Sequence, residues 1–324
     1  MKFKKLKLPL FFLVSVISIF ALKNQVIAAS LTWPLPPADP SSLEAFNLIK
    51  KTYQIDDLLN NYKISKIESE INENFVIQTV HIQTSFTPEV VLVLKIPNAP
   101  QIQKQSAVVL FSGFQTGADA IKLVEENNSS IFVGFQYPFP IDFKNASLNF
   151  NWDKLKVIPA MMAVALSWLH QQPFIDSQKI NVVTVSFGSL FYPLAQRFLN
   201  EYNYYPKTTV IGYGGVDITG IILNHLKIKQ GSFDEQVAKP LIHSQLWFLE
   251  PSYHIHHLRG PTLVVHAEEE KIFPIKSRNE LNENLQEPKK IIILPGPHIQ
   301  PDRPDLIKKF MSEVLSFISS NYGI

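Results

Sequence analysis

The sequence predicts an α/β protein with a mostly parallel, doubly wound sheet and helices on both faces. Short apolar runs rich in β-branched residues recur from residue 106 onward, and such runs are typical of strands buried on both faces. Stretches with helical spacing of apolar residues separate several of the runs. Buried strands that alternate with helices are the pattern of a parallel sheet, because each connection returns along the outside of the sheet. The runs and the helical stretches lie at 106–111, 131–136, 152–171, 180–185, 190–199, 208–213, 261–266, 290–294 and 305–320.

The composition indicates a globular chain. The 324 residues are 46% hydrophobic and 18% charged, which suits one domain with a large core and excludes a disordered or fibrous chain. Lys and Arg number 30 against 28 acidic residues and form no basic stripe, so we expect no nucleic-acid partner. The chain has no cysteine, which excludes disulfides, thiolate metal sites and a cysteine nucleophile.

Residues 1–29 have the parts of a secretory signal peptide. Lysines at positions 2, 4, 5 and 7 precede an almost purely apolar stretch at 8–22, and Ala28 and Ala29 are small residues suited to cleavage. An apolar run of about 15 residues is short for the roughly 20 that a stable membrane-spanning helix needs. We therefore expect export to the periplasm or the extracellular space. The alternative is an uncleaved anchor, with the membrane touched by this segment alone and the catalytic domain, 30–324, outside the cytoplasm.

A helix and three strands are predicted before the first buried run. Apolar residues recur at helical spacing over 43–53, after two serines that suit a helix start. The stretches 64–71 and 75–84 alternate, which suits antiparallel strands with one solvent-exposed face. The stretch 90–96 is nearly continuous in apolar residues, and we expect it to be more deeply buried.

The strongest signal for chemistry is the stretch 182–190, Val-Val-Thr-Val-Ser-Phe-Gly-Ser-Leu, in which a strand pattern runs into Ser186 and a helical pattern follows at once. A sharp strand-to-helix turn exposes a serine hydroxyl above the sheet as a nucleophile. The positions two before and two after the serine need small residues because the arms of the turn nearly touch. Gly188 meets this need, whereas Thr184 stands where glycine is usual. The alternative is a serine that merely caps the helix.

From residue 106 to its end, the chain resembles the α/β-hydrolase superfamily, in its esterase and dienelactone-hydrolase-like branch. The resemblance rests on 176–188, Asp-Ser-Gln-Lys-Ile-Asn-Val-Val-Thr-Val-Ser-Phe-Gly, which is similar to the helix-loop-strand-turn run of those branches. It implies the α/β-hydrolase fold, and catalytic residues in the chain order nucleophile, acid, histidine. It also implies that the reaction needs no cofactor.

The resemblance points to His298 as the catalytic histidine. The stretch 289–298, Lys-Lys-Ile-Ile-Ile-Leu-Pro-Gly-Pro-His, is a strand, a Pro/Gly turn and a histidine, similar to the last-strand loop of the superfamily. The chain has nine histidines, so the position after the final strand is what singles this one out. A neutral imidazole there can take the proton of Ser186 and later return it to the leaving group.

Glu270 is the acid that the resemblance implies. The stretch 266–274, His-Ala-Glu-Glu-Glu-Lys-Ile-Phe-Pro, is similar to the family pattern H-G-x-x-D-x-x-V-P, and Glu270 stands where most relatives have aspartate. A glutamate can orient the imidazole as well, although its extra methylene needs a slightly different backbone position. Two alternatives remain open. One is Glu268 or Glu269 in the same loop, and the other is Asp217 after the preceding strand, from where some lipase-like branches take their acid.

Acyl transfer also needs backbone donors for the oxyanion. The amide of Phe187, directly after the nucleophile, is one candidate. The resemblance implies Phe114 as the second, since this residue follows the glycine of the Ser112-Gly113-Phe114 loop after the first buried strand. Ser112 is a departure, because many relatives have histidine at this position.

The segment at about 217–258 lacks the strand rhythm and is rich in large apolar residues, which favours a small helical cap insertion over the site. An ordinary connecting helix with a loop is the alternative. The histidines at 254, 256 and 257 lie in this segment. Since there is no cysteine and Arg259 is next to them, we interpret them as a polar helix end, and we expect no metal site.

Together these residues predict a serine hydrolase that cleaves a carboxylic ester of a small-molecule or lipid-like acyl substrate through an acyl-enzyme. A peptidase or amidase with the same triad is an alternative, because the triad does not choose the leaving group. A hydrolase-fold protein that binds a ligand without turning it over is another, since Thr184, Ser112 and Glu270 all depart from the family pattern.

Overall fold

The computed structural model describes residues 33–98, 103–124, 130–138 and 152–321. The predicted signal peptide, 1–29, lies outside the described residues. Within these four ranges, no helix has both the length and the apolar content to cross a bilayer.

The sheet of the described chain has nine strands in the order β1-β2-β3-β5-β4-β6-β7-β8-β9. β1, β2, β3 and β5 pair antiparallel in that sequence, and every pair from β5–β4 to β8–β9 is parallel. The predicted mostly parallel sheet is thus confirmed. The strands are β1 (Lys63–Ile71), β2 (Phe75–Gln83), β3 (Val90–Pro97), β4 (Gln105–Phe111), β5 (Ser130–Gln136), β6 (Ile175–Val185), β7 (Thr208–Gly212), β8 (Thr262–Glu269) and β9 (Lys289–Pro297).

Helices cover both faces of the sheet, as expected. Side chains alternate between the faces along a strand, so Val109 and Phe111 of β4 belong to one core cluster, while Val108 and Leu110 belong to the other. The first cluster includes α1, α2, α4 and α5, and the second includes α9 and the 3₁₀ segment Gly117–Leu123. The helices are α1 (Leu43–Tyr53), α2 (Ile55–Asn60), α3 (Trp152–Lys156), α4 (Ile158–His170), α5 (Tyr192–Asn200), α6 (Ile218–His225), α7 (Phe233–Leu246), α8 (Ile275–Asn284) and α9 (Pro304–Ser320).

Three predicted elements differ in the structure. β9, which the sequence placed among strands buried on both faces, has no buried residue, because it is an edge strand that pairs with β8 alone in the described sheet. β1 is exposed along its whole length rather than on one face, because it is an edge strand that pairs with β2 alone. The helical pattern at 152–171 is divided into α3 and α4. Pro159 lies in the first turn of α4, and a proline is tolerated there because its missing N–H has no partner within the helix.

The segment 217–258 contains α6, α7 and three short 3₁₀ turns, and it connects β7 to β8. α6 begins at the carboxyl end of β7. Because β6, β7, β8 and β9 are parallel neighbours, the residues that follow all four strands meet at one edge of the sheet. Ser186, Asp217, Glu270 and His298 are brought to this edge.

Candidate active site

Ser186 stands in the turn between β6 and a 3₁₀ segment, Ser186–Leu190, that leads into α5. Its φ of 52° lies in the left-handed region, which a residue with a Cβ adopts at a cost of about 1–3 kcal/mol. The surrounding structure therefore holds this serine in a strained backbone conformation. This backbone conformation places the hydroxyl at the carboxyl edge of the sheet, where it faces the loops after β8 and β9.

The two flanking positions explain how a T-x-S-x-G turn forms. A Cβ on Gly188 would overlap the carbonyl oxygen of Phe111, so glycine is required there. Thr184 is fully buried, and its hydroxyl donates a hydrogen bond of 3.0 Å to the carbonyl oxygen of Val210 on β7. A threonine is accommodated at the usual glycine position because its polar group has this partner in the neighbouring strand.

His298 directly follows β9 and is buried. Its ring stacks on Phe273 at a centroid distance of 6.0 Å and meets the edge of Tyr213 at 5.5 Å. Its Nε2 lies 2.9 Å from Oγ of Ser186. The two aromatic rings limit rotation of the imidazole, so the nitrogen stays aimed at the serine.

Glu270 meets the other nitrogen of the same imidazole. Oε2 of Glu270 lies 2.7 Å from Nδ1 of His298, and Oε1 accepts hydrogen bonds from the amides of Ile272 at 2.7 Å and Phe273 at 3.2 Å. Burial alone would raise the pKa of Glu270, but the hydrogen bonds from His298 and the two amides outweigh it, so the pKa lies below its ordinary value. The carboxylate is therefore ionised at neutral pH.

The alternative acids lie elsewhere. Asp217 caps the N-terminus of α6, with Oδ1 accepting a hydrogen bond of 2.9 Å from the amide of Gly220, and it has no hydrogen bond to His298 within the described chain. Glu268 and Glu269 are exposed at the end of β8. Of the acids considered in the sequence, the structure joins Glu270 to His298.

The loop after β4 passes beside Ser186. A Cβ built on Gly113 would lie 4.0 Å from Cβ of Ser186, and the rings of Phe114 and Phe187 meet edge to face at a centroid distance of 5.9 Å. The structure thus brings both residues predicted for the oxyanion to the serine. Ser112, the departure from the family pattern, donates a hydrogen bond of 2.7 Å to the carbonyl oxygen of Gly117 and so fixes this loop.

Tyr137 also lies at this site, although the sequence pattern gave it no part in the catalytic machinery. Its buried hydroxyl donates a hydrogen bond of 2.7 Å to the carbonyl oxygen of Ser112, and its ring meets Phe187 edge to face at 5.2 Å. It connects the loop after β4 to the residue after the nucleophile. The available signal was its place directly after β5, at the carboxyl edge of the sheet.

A cavity of about 970 Å³ opens beside Ser186 and His298. Most of its lining surface is apolar, and the side chains come from both sides of the sheet edge. Among the side chains that line it are Leu110, Phe114, Val183, Phe191, Ile218, Ile221, Ile222, Phe273, Ile299, Phe310 and Met311.

The histidines at 254, 256 and 257 are not gathered around a common point. His254 is buried, with Nδ1 3.1 Å from Arg197 and Nε2 2.9 Å from the carbonyl oxygen of Phe248. Burial and the nearby Arg197 lower the pKa of His254 to about 3, so the ring is neutral. Across the ranges that the structure describes, no group of three or more His, Asp or Glu side chains is arranged to hold a metal ion.

Comparison with known proteins gives structural neighbours. No protein-family model matches the chain, and no curated protein matches it. In structure it is similar to acetyl xylan esterase 1 from Thermoanaerobacterium sp. JW/SL YS485, with a TM-score of 0.63 and 12% identity over 90% of this chain and 96% of that one. It is also similar to an acetyl xylan esterase from Paenibacillus sp. R4, with a TM-score of 0.61 and 11% identity over 86% of this chain and 97% of that one.

A third neighbour is an acylaminoacyl peptidase from Pyrococcus horikoshii. The TM-score is 0.50 and the identity 16%, and the match covers 74% of this chain but 41% of that longer one. Identities this low establish the fold alone. The chain has the α/β-hydrolase fold, which confirms the fold expected from the sequence.

Proposed function

We propose that this protein is a serine hydrolase that cleaves carboxylic esters through an acyl-enzyme. The observation that carries the proposal is the continuous contact from Ser186 Oγ to His298 Nε2 at 2.9 Å and from His298 Nδ1 to Glu270 Oε2 at 2.7 Å. The acetyl xylan esterases of similar fold support an ester as the substrate.

In this mechanism the hydroxyl of Ser186 donates its proton to Nε2 of His298 as Oγ attacks the ester carbonyl carbon. His298 then carries a positive charge, which the ionised carboxylate of Glu270 stabilises through Nδ1. The imidazolium passes its proton to the leaving alcohol, and an acyl group remains on Ser186. Water attacks this acyl-enzyme with His298 again as the base, which releases the acid and restores the serine.

The backbone amides of Phe187 and Phe114 are the proposed donors to the oxyanion. Their support is their position, since Phe187 follows the nucleophile and the loop at Gly113 runs beside Ser186. Each oxyanion donor is typically worth about 3 kcal/mol of the barrier. Tyr137 and Ser112 would act as positioning residues, because their hydroxyl groups bond to backbone carbonyls of the loop that carries Phe114.

We also propose that the segment 217–258 acts as the cap over this site. The support is that α6 contributes Ile218, Ile221 and Ile222 to the cavity wall. The substrate would then pass between this helix and the loops after β4 and β8.

Labelling with a fluorophosphonate probe tests the nucleophile. We expect the wild-type protein to be labelled and Ser186→Ala to be neither labelled nor active, with a loss in kcat of at least about 10⁴-fold. Ser177→Ala is the matched control, because Ser177 lies in β6 near the end of the strand that is remote from Ser186. Equal labelling of Ser186→Ala, or an unlabelled wild-type protein, contradicts the proposal.

A comparison of p-nitrophenyl butyrate with the p-nitroanilide of butyric acid tests the leaving group, because the two compounds share one acyl group. We expect hydrolysis of the ester and little of the anilide. Comparable kcat/KM on both compounds would favour the peptidase or amidase with the same triad.

A further inference from the structure

We propose that the substrate is an ester carrying a long apolar chain of about eight carbons or more, rather than an acetyl ester. This inference rests on the proposed ester hydrolysis at Ser186 and specifies its substrate class. Its basis is the size, lining and position of the cavity beside the serine.

The cavity is much larger than an acetyl group requires. Its volume of about 970 Å³ lies near the upper end of the roughly 300–1,000 Å³ typical of pockets that bury whole drug-sized ligands. Two lysines among the lining residues, Lys227 and Lys271, are both exposed, which places their charges at the mouth. The rest of the lining is mostly apolar, which suits a chain of methylene groups.

One part of the cavity lies between the sheet and two covering elements. Leu110 and Val183 line it from β4 and β6, Ala120 lines it from the 3₁₀ segment Gly117–Leu123, and Phe310 and Met311 line it from α9. Within the described part of the connection from β4 to β5, that short 3₁₀ segment is the element that covers the sheet. The side chains that line this part of the cavity from the sheet, the 3₁₀ segment and α9 are all apolar.

A second part lies on the opposite side of Ser186. Ile218, Ile221 and Ile222 of α6 line it together with Leu190 and Phe191 from the start of the α5 region. Because apolar walls stand on both sides of the nucleophile, a long chain can be accommodated on the acyl or on the alcohol side of the scissile bond. Burial of each methylene in the transition state would raise kcat/KM by about three- to fourfold.

Chain-length series on the wild-type protein test the proposal. The acyl series consists of p-nitrophenyl acetate, butyrate, hexanoate and octanoate. The alcohol series consists of ethyl, butyl and octyl acetate, and their hydrolysis is measured by the release of protons. We expect kcat/KM to rise at least about 100-fold from the shortest to the longest member of one series, which also identifies the side that holds the chain. If acetate is hydrolysed and kcat/KM is flat or falls with length in both series, the inference is wrong and the proposed function stands. If no ester is hydrolysed and the fluorophosphonate probe does not label Ser186, the proposed function itself fails.

A matched pair of variants on α9 tests the location of the chain. Met311 and Leu315 lie one turn apart on the same side of the helix and pack against the same core cluster, but Met311 lines the cavity and Leu315 does not. We expect Met311→Trp to lower the kcat/KM ratio of the longest to the shortest ester at least about tenfold, and Leu315→Trp to keep the wild-type ratio. Equal ratios for both variants, with circular dichroism spectra like that of the wild type, overturn the assignment of this part of the cavity. Should Met311→Trp fail to fold, the wild-type series still decides the chain-length preference.

Discussion

Glu270, in the loop after β8, and Glu250, after the 3₁₀ turn Trp247–Leu249, both have side chains shielded from solvent, and both accept hydrogen bonds from backbone amides. Oε1 of Glu270 accepts from Ile272 and Phe273. The carboxylate of Glu250 accepts from the amides of Asp217 at 2.7 Å, Ile218 at 2.9 Å and Ser252 at 3.2 Å. Judged by the number of amide donors, Glu250 has the better site for a negative charge.

The pKa values nevertheless shift in opposite directions. Burial raises the pKa of Glu250 to about 7, and the negative charge of Asp217 also raises it. The hydrogen bonds from the amides lower this pKa, but by less than burial and Asp217 raise it. The pKa of Glu270 is lowered, since its buried carboxylate also faces the imidazole of His298. The imidazole beside Glu270, and the burial and nearby Asp217 charge that act on Glu250, account for this difference. The comparison teaches that a glutamate remains ionised and can stabilise a charged histidine when it is paired with that histidine. Within the described chain Glu250 has no such partner, and its hydrogen bonds to the amides of Asp217 and Ile218 hold the start of α6 instead.

Of the changes in these two acidic regions, removing the charge at Glu270 has the largest expected effect. Glu270→Gln keeps the shape of the side chain but cannot stabilise the imidazolium, so we expect kcat to fall by about 10³–10⁴-fold on a p-nitrophenyl ester. Asp217→Asn is the control at the alternative acid and should retain at least about a third of the wild-type rate. A larger loss in Asp217→Asn than in Glu270→Gln would reverse the assignment of the acid.

Much of this site could be predicted from local sequence patterns, because a parallel sheet brings the residues after successive strands to one edge. Ser186, Glu270 and His298 each directly follow a strand that the sequence predicted, so a correct strand assignment was enough to bring them together. The fold follows from the same strands. Their catalytic roles stay predictions until the variants are measured.

The contacts that cross the fold could not be predicted in this way. Tyr137 bonds to Ser112 over 25 residues, and Glu250 bonds to Asp217 over 33 residues. Each contact depends on how a loop or helix packs at the edge of the sheet, which no period in the sequence encodes. The exposure of β1 has a similar origin, because alternation cannot tell an edge strand that nothing covers from one packed on a core.

A smaller effect is expected from Glu250, on stability rather than on rate. Its pKa in the folded protein, about 7, lies above the unfolded value near 4.3, so the folded state binds the extra proton between these values. Stability from this group is fully present below about pH 4 and is lost as the pH rises through about 7. Over this whole pH range the loss amounts to about 3–4 kcal/mol. Glu250→Gln has no proton to lose there.

Urea unfolding at pH 5 and pH 8 measures this effect. We expect the free energy of unfolding of Glu250→Gln, relative to that of the wild type, to increase by about 2 kcal/mol from pH 5 to pH 8. Glu268→Gln, at an exposed position, controls for the removal of one carboxylate. If the stability of Glu250→Gln relative to the wild type is the same at both pH values, the pKa of Glu250 is not raised, and the two glutamates do not differ in the direction of their pKa shifts.

The smallest expected effect concerns Asp217, whose backbone amide donates a hydrogen bond to Glu250. Its side chain caps α6 and its φ of 63° is left-handed, a conformation that aspartate and asparagine tolerate better than alanine does. Asp217→Ala loses both features and should lower the free energy of unfolding by about 1–2 kcal/mol, whereas Asp217→Asn keeps both and should cost a few tenths. Asp217→Gly separates the two contributions, because glycine restores the left-handed conformation without the cap. Thermal unfolding gives the stabilities and ester hydrolysis gives the rate. If Asp217→Ala loses catalytic rate without losing stability, then Asp217 acts in the chemistry and the division between the two acidic regions does not hold.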